Sequence, residues 1–289
     1  MSLKNIINNI LKIAFPLLLG GAILYWMYRD FDFKSIKNVL LNEMDWTWML
    51  LSFPFGILAQ MFRGWRWRQT LDPVGEHPRT SVALHSIFLS YAASLVIPRI
   101  GEFTRCGVLK RYDGISFSKA LGTVVTERAI DTLLMGIITA LLLLHLLLKR
   151  LAVYNKMKAT MGGIWQGVMS LKSVKNIPLF TFYTLGIWLC YFLHYYLTFF
   201  CFDFTADLGI DCALVTFVVG SIAVIVPTPN GAGPWHFAVK TMLILYGVSD
   251  INALYFVLIV HSVQTMLVIA LGIYAWCALA FTRVKKVNE

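Results

Sequence analysis

The stretch IPRIGEFTR at residues 97–105, followed by TERAID at residues 126–131, places charged side chains within otherwise apolar sequence. The first stretch also contains Pro98 and Gly101, two residues that interrupt helices. An ionisable residue at membrane depth is costly to bury and is by default a functional-site hypothesis. These two stretches therefore predict both a broken helix and the position of a functional site.

The composition around these stretches is that of a polytopic α-helical membrane protein. Of 289 residues, 58% are hydrophobic and 14% are charged, and the mean hydropathy is +0.70, whereas soluble domains are about one quarter charged. The apolar runs are continuous rather than alternating, which argues against a transmembrane barrel. We attribute the net charge of +10 to cytoplasmic loops beside anionic headgroups and not to nucleic acid. Residues 1–289 are expected to form a single integral membrane domain.

The fold is predicted to be all-α, with about seven or eight membrane segments and two re-entrant or broken-helix hairpins. The breaks lie at Pro98–Gly101 and within residues 227–234. The segment after Gly101, at 102–111, has about ten residues, which is too few for a helix to span a bilayer core of about 30 Å. The apolar segments lie at about 10–28, 46–63, 80–97, 117–148, 177–202, 212–226, 235–246 and 251–281.

The two halves of the chain form an internal repeat, predicted over residues 46–148 and 177–282 and separated by a basic amphipathic linker at 149–176. Residues 114–134 align with 247–267 without gaps, and seven of the 21 positions are identical. Paired interrupted segments in two halves indicate a transporter binding site near the midplane. An inert bundle with packing kinks is the alternative, but a kink alone does not require charged residues.

The charge pattern leaves the topology open. The basic linker and the basic C-terminus favour the cytoplasm, and the acidic residues within 203–211 favour the outer face. With a re-entrant hairpin that enters from inside at 80–112, residues 117–148 would then have to start and finish inside. Either they contain two tilted crossings or one hairpin is a full span.

The charged residues of the first repeat are the main site candidates. On a helix, Asp131 lies within reach of both Glu127 and Arg128, and the hairpin offers Arg99 and Arg105 as partners, with Glu102 beside them. This cluster either braces the hairpin or leaves an arginine free to bind phosphate through its two-pronged guanidinium.

Further candidates come from backbone amides and from the second repeat. The half-helix near Gly101 would offer N–H groups to an anion, as would the second break near Asn230, Gly231 and Gly233. The alignment pairs Arg128 with His261 and Asp131 with Gln264, so polarity is kept while formal charge is not. The basic, Trp-containing stretch 63–68 is interpreted as an interfacial anchor, or alternatively as a phosphate-contacting surface.

Catalytic and metal motifs are missing from the sequence. It contains no nucleophile elbow, HExxH, Walker loop or GxGxxG. The five cysteines form no CxxC pair and have no histidine at metal-ligand spacing. We therefore expect no catalytic residue, no metal and no cofactor, and hence no enzyme.

Three motifs resemble those of the lysylphosphatidylglycerol synthase transmembrane family, also called flippase-like. They are P-R-x-G-E-x-x-R at 98–105, E-R-x-x-D at 127–131 and P-x-P-x-G-x-G at 227–233. The resemblance implies a re-entrant helical fold with repeats and a role in moving polar lipids between leaflets. Bifunctional members carry a soluble aminoacyl-transferase domain after this region. This sequence ends at Glu289, so lipid aminoacylation is not expected. The family commonly has an acidic residue after the second glycine-rich motif, where this sequence has His236.

The sequence therefore predicts a lipid flippase or transporter, a multi-pass protein of the cytoplasmic (inner) membrane. The expected partners are lipids with phosphate or polar headgroups, not nucleic acid, and homo-oligomerisation stays open. One alternative is a membrane enzyme that transfers a group to or from a polyprenyl-phosphate lipid, and another is a non-catalytic envelope scaffold.

Overall fold

A computed structural model describes residues 3–148 and 176–285, and every secondary-structure element in these ranges is helical. The predicted linker at 149–176 lies outside the described residues except for Asn176. The α-helices are α1 (Leu3–Tyr28), α2 (Phe33–Asn38), α3 (Trp46–Leu71), α4 (Thr80–Val96), α5 (Ile100–Asp113), α6 (Phe117–Leu148), α7 (Ile177–Tyr196), α8 (Asp203–Ala206), α9 (Gly209–Ala223), α10 (Pro234–Leu245) and α11 (Asp250–Ala280).

Two stretches are long and apolar enough to cross a bilayer, namely Ile177–Cys201 and α11. Shorter apolar helices are Ala14–Tyr28, α4 and α9. Because α4 has 17 residues and α9 has 15, they measure about 26 and about 22 Å at a rise of 1.5 Å per residue. Both are shorter than a bilayer core of about 30 Å.

The first hairpin consists of α4 and α5, joined across the break at Ile97–Arg99. Its two helices approach closely because Gly101 has no side chain. A Cβ atom there would lie 2.1 Å from the Ser90 carbonyl oxygen, and the Gly101 N–H donates to Ser94 Oγ at 3.2 Å. The sequence places glycine where a larger residue would separate the hairpin.

The second hairpin consists of α9 and α10, and its break spans residues 224–233. The chain turns there through positive φ angles at Asn230 (51°), Gly231 (72°) and Gly233 (91°). Helix α1 packs on this break, because a Cβ atom at Gly233 would lie 2.8 Å from the Gly20 carbonyl oxygen. Two glycine positions thus permit backbone contact between α1 and the second hairpin.

The two hairpins enter the helical bundle from opposite ends. Helices α3 and α7 are antiparallel, because the Asp45 N–H donates to the Cys201 carbonyl at 2.9 Å and Arg66 contacts Thr184 at 3.3 Å. The first hairpin starts after the C-terminal end of α3, and the second starts after the C-terminal end of α7. Their breaks meet where Arg99 Nη2 donates to the Ile225 carbonyl at 3.2 Å.

The long helices α6 and α11 also run in opposite directions. Helix α6 starts beside the α3–α4 connection, where Lys119 Nζ contacts the Val74 carbonyl at 3.0 Å, and its distal Leu142 packs against Val215 and Val218 of α9. The stretch 117–148 is therefore one helix that runs towards the opposite end of the bundle. Of the arrangements that the charge pattern left open for this stretch, two crossings within 117–148 are not what forms.

The two ends of the bundle carry opposite charge. One end, called the basic end, has seven basic and three acidic residues, and the other, called the acidic end, has eight acidic and four basic residues among those described. The basic end contains Arg68, Asp72, Glu76, Arg79, Lys110, Arg111, Asp113, Lys119, Arg283 and Lys285, and the acidic end contains Arg29, Asp30, Asp32, Lys34, Lys37, Glu43, Asp45, Asp203, Asp207, Asp211, Lys240 and Asp250.

Candidate functional site: two hairpin tips and a buried ion cluster

A buried ion cluster joins α3, α5 and α6. It starts from Asp131, whose carboxylate accepts hydrogen bonds from Arg66 Nη1 at 2.7 Å, Arg66 Nη2 at 3.1 Å and Arg63 Nη1 at 2.9 Å. Glu127, one turn earlier on α6, accepts from Arg66 Nε at 3.3 Å and from Arg105 Nη1 at 2.9 Å. All five side chains are buried.

The cluster contains one more positive charge than negative charge, since three guanidinium groups face two carboxylates. Two buried nitrogen atoms, Arg63 Nε and Arg105 Nη2, have no hydrogen-bond partner among the described residues. Unpaired buried charge is expensive, and removing one partner of a buried pair is more expensive still. The cluster is thus sensitive to any loss of a carboxylate.

Aromatic rings and a hydroxyl complete the surroundings of the cluster. The Arg105 guanidinium lies 4.5 Å from the centroid of the Trp67 ring, and Trp67 Nε1 donates to Thr123 Oγ1 at 2.9 Å. Stacking over an aromatic face offsets part of the cost of burying an arginine. Helix α7 joins the cluster through Thr184.

A second charged group lies at the tip of the first hairpin and is accessible. Arg128 Nε donates to Glu102 Oε1 at 2.8 Å, with the side chains 47% and 31% exposed. Arg99, also exposed, adopts a left-handed backbone conformation with φ of 63°. We call Arg99, Glu102 and Arg128 the exposed tip group.

The tip of the second hairpin is polar and uncharged. Asn230 Nδ2 donates to Thr265 Oγ1 at 2.7 Å, and His261 Nε2 lies 3.1 Å from the Asn230 carbonyl oxygen. The His236 and His261 rings are 4.5 Å apart between centroids. One turn after His261, Gln264 Nε2 donates to the His194 carbonyl of α7 at 3.1 Å.

The two tips correspond residue by residue. Arg99 and Asn230 are the two non-glycine residues with positive φ in the described chain, one at each break. Glu102 and His236 are each the third residue of the second helix of a hairpin. Each contacts the long helix that follows, at the aligned positions Arg128 and His261.

The structure separates the sequence-predicted residues into three sets. Arg105, Glu127 and Asp131 are in the buried ion cluster, the exposed tip group holds Arg99, Glu102 and Arg128, and the second tip holds Asn230, Gly231, Gly233, His236 and His261. Gln264 instead joins α11 to α7. The pairing of Arg105 with an α6 carboxylate is confirmed, whereas Arg99 bonds to a carbonyl of the second break.

Two expectations differ from the structure. The stretch 63–68 is not an interfacial anchor at Arg63, Arg66 or Trp67, because these side chains are buried and the two arginines neutralise α6 carboxylates. Sequence reasoning did not place Arg63 and Arg66 among the site residues, because only the packing of α3 beside α6 brings them to Glu127 and Asp131.

Several backbone amides at the breaks are also not free for an anion. The Ile100 and Glu102 N–H groups donate to the Ile97 and Arg99 carbonyls at 3.2 and 3.4 Å. Gly231 N–H donates to the Thr228 carbonyl at 3.1 Å, and Gly233 N–H points to His236 Nδ1 at 3.4 Å. These four N–H groups are therefore not available to an anion in this conformation.

Comparison with known proteins gives one family. The model of the family described as Lysylphosphatidylglycerol synthase TM region matches residues 13–169 and 148–272. No curated protein matches the chain, and no solved structure does.

Proposed function

We propose that this chain, which belongs to the lysylphosphatidylglycerol synthase TM region family, moves an anionic or glycosylated lipid between membrane leaflets without changing it chemically. The family and the apolar helices indicate a membrane protein with a lipid-related function. The observation that carries the finer proposal is the meeting of two oppositely directed hairpins, at Arg99 and the Ile225 carbonyl.

Oppositely directed copies of one helical arrangement are the architecture of many secondary transporters. Here the order helix, hairpin, long helix occurs as α3, α4–α5, α6 and again as α7, α9–α10, α11. Because both hairpins are built from short helices and return to the end from which they start, we interpret each as re-entrant. Substrate sites in such proteins lie where the interrupted helices meet.

The exposed tip group is the part of this meeting point suited to a lipid headgroup. Arg99 and Arg128 are exposed, and a guanidinium binds a phosphate oxygen pair through two parallel hydrogen bonds. Arg128 donates to Glu102, so a headgroup has to displace that carboxylate to bind both prongs of the guanidinium. The buried ion cluster holds α3, α5 and α6 together behind this surface, and its unbalanced positive charge also favours an anion nearby.

The charge of the two ends supports one orientation in the membrane. Lys and Arg are retained on the cytoplasmic side of membrane proteins, so we place the basic end in the cytoplasm and the acidic end outside. The first hairpin then opens from the cytoplasm and the second from the outer face of the cytoplasmic membrane. The lipid tails remain in the bilayer while the headgroup passes between the two tips.

Reconstitution into liposomes tests this function. The protein is incorporated with labelled phosphatidylglycerol or a labelled glycolipid, and the lipid remaining in each leaflet and its chemical identity are measured. Exchange with the lipid unchanged supports the proposal. Recovery of a modified lipid would favour the group-transfer enzyme, and liposomes that exchange no faster than protein-free controls would favour the scaffold.

A further inference from the structure

Resting on the proposed function, we infer that His236 and His261 form a proton-binding site that couples opening of the second hairpin to proton entry from the acidic end. The inference starts from their contact. The rings lie 4.5 Å apart between centroids, His236 on the half-helix α10 and His261 on the long helix α11. This contact joins the second hairpin to the helix behind it, as the Glu102–Arg128 ion pair does for the first hairpin.

The two contacts differ in how they respond to pH. A glutamate–arginine pair keeps its charges throughout the neutral range, whereas imidazole is the side chain that changes charge near neutral pH. Two adjacent imidazoles cannot both be protonated without repulsion, so the pair takes up one proton at a time. Acidification therefore changes the charge at the second hairpin and not at the first.

The surroundings of the pair favour opening when a proton binds. His236 is buried, and its Nδ1 faces the Gly233 N–H at 3.4 Å. A hydrogen-bond donor at this position does not stabilise a protonated imidazole. His261 is half-buried and contacts Asn230 at the break of the second hairpin, and Val224 and Ile225 of the same break are exposed, so the break provides access to solvent or headgroups. A protonated imidazole gains hydration when the contact separates, and the proton thereby stabilises the open hairpin.

The groups that face the pair do not neutralise it. Among the described residues, neither imidazole is hydrogen bonded to a carboxylate. Arg99 reaches the same break with a positive charge, Lys240 is paired with Asp250 at 2.8 Å, and Tyr28 of α1 lies edge-on to His236. The titratable side chains on the other packed elements are Asp211 and Cys212 on α9, His85 and Tyr91 on α4, and Tyr183, Cys190, Tyr191, His194, Tyr195 and Tyr196 on α7.

The first experiment reads protonation directly and needs no transport. Trp235 lies 5.2 Å from the His261 ring and 5.5 Å from the His236 ring, and imidazolium quenches indole fluorescence. The emission of Trp235 is obtained by subtracting the spectrum of Trp235→Phe from that of the wild type. It is measured from about pH 8 to about pH 5 with the full chain in lipid nanodiscs. We expect quenching on acidification that is weaker in the His261→Gln background, because one of the two imidazoles near Trp235 is gone. It should be unchanged in the His85→Gln background, because the His85 ring packs on Tyr274 instead.

A Trp235 signal that does not change with pH, or that changes equally in His261→Gln, would overturn the inference. Gel filtration of each variant shows whether it is folded. Should His261→Gln not fold, His236→Gln takes its place with the same two outcomes.

The second experiment measures coupling. The protein is reconstituted into liposomes with its acidic end facing outward, and the outside is made one pH unit more acidic than the inside. This gradient is a tenfold difference in proton activity, so we expect it to raise wild-type lipid exchange by up to about tenfold. In His261→Gln the exchange rate should not respond to the gradient. Wild-type exchange that ignores the gradient would overturn the coupling and leave the proposed function intact, whereas no wild-type exchange at all would overturn both.

Discussion

Arg66 donates two hydrogen bonds to Asp131, from Nη1 at 2.7 Å and from Nη2 at 3.1 Å, across 65 positions of sequence. This bidentate pair fixes α3 to α6 in the interior of the bundle. The carboxylates of the TERAID stretch therefore serve first to neutralise buried arginines. We propose that contact with a headgroup falls to the exposed tip group, so that the brace and the binding surface are separate sets of residues on the same helices.

The buried pair makes a stability prediction. Asp131→Asn leaves Arg63 and Arg66 buried with one carboxylate fewer, and breaking a buried pair by removing one partner costs about 3–5 kcal/mol. The thermal unfolding midpoint in detergent should fall clearly. Asp30→Asn, in an ion pair whose side chains are 57% and 86% exposed, is the matched control and should barely change the midpoint. Equal midpoints for the two variants would show that the cluster does not brace the fold.

The first hairpin makes a packing prediction that uses two glycines of α5. Gly101→Ala would place its Cβ 2.1 Å from the Ser90 carbonyl oxygen, so the two helices must move apart. Gly107→Ala meets nothing within 4 Å and should be neutral or stabilising by about 0.5–1 kcal/mol, because alanine favours a helix more than glycine does. Thermal unfolding of both variants checks this. A Gly101→Ala protein as stable as Gly107→Ala would contradict the close approach of α4 and α5.

The opposite charges of the two ends make a topology prediction. Cysteines introduced as Val74→Cys at the basic end and Asp207→Cys at the acidic end should react with a membrane-impermeant maleimide from opposite sides. In intact cells we expect labelling at position 207 alone, with position 74 labelled after permeabilisation. The native exposed Cys277 is changed to serine beforehand. Labelling of both positions in intact cells would contradict the placement of the two ends on opposite sides of the membrane.

Helix limits follow closely from local sequence signals. The Pro98–Gly101 break separates α4 from α5, and the apolar run at 117–148, for which the sequence left one or two crossings open, forms the single helix α6 with the same limits. Hydrophobic periodicity and helix-breaking residues act over a few positions and are visible in one sequence. The pairing of Glu127 with Arg105 follows from the cost of isolated buried charge.

The partners from α3 could not be predicted in the same way. Arg66 and Asp131 meet only because α3 and α6 pack side by side, and an arginine near tryptophans also occurs at membrane interfaces. The direction of the second hairpin likewise depends on the antiparallel packing of α3 on α7. Such long-range geometry has no local sequence signal.

The ion pair of the exposed tip group makes a binding prediction. Glu102→Gln removes the carboxylate that is paired with Arg128, so an anionic headgroup no longer has to compete with Glu102 for that guanidinium. A charge-assisted hydrogen bond is worth about 1.5 kcal/mol, which corresponds to roughly tenfold tighter binding. Titration of fluorescent phosphatidylglycerol into the detergent-solubilised protein measures the change. Unchanged or weaker binding would show that Arg128 does not receive the headgroup.

Leaflet exchange in Arg128→Ala tests the proposed transport most directly. Labelled phosphatidylglycerol is followed in liposomes that contain wild type, Arg128→Ala or Lys119→Ala, the last removing an exposed basic residue that pairs with Glu76 away from the hairpin tips. We predict that wild type and Lys119→Ala exchange the lipid unchanged, and that Arg128→Ala exchanges no faster than protein-free liposomes. Exchange at the wild-type rate in Arg128→Ala would contradict the assignment of the headgroup to the exposed tip group.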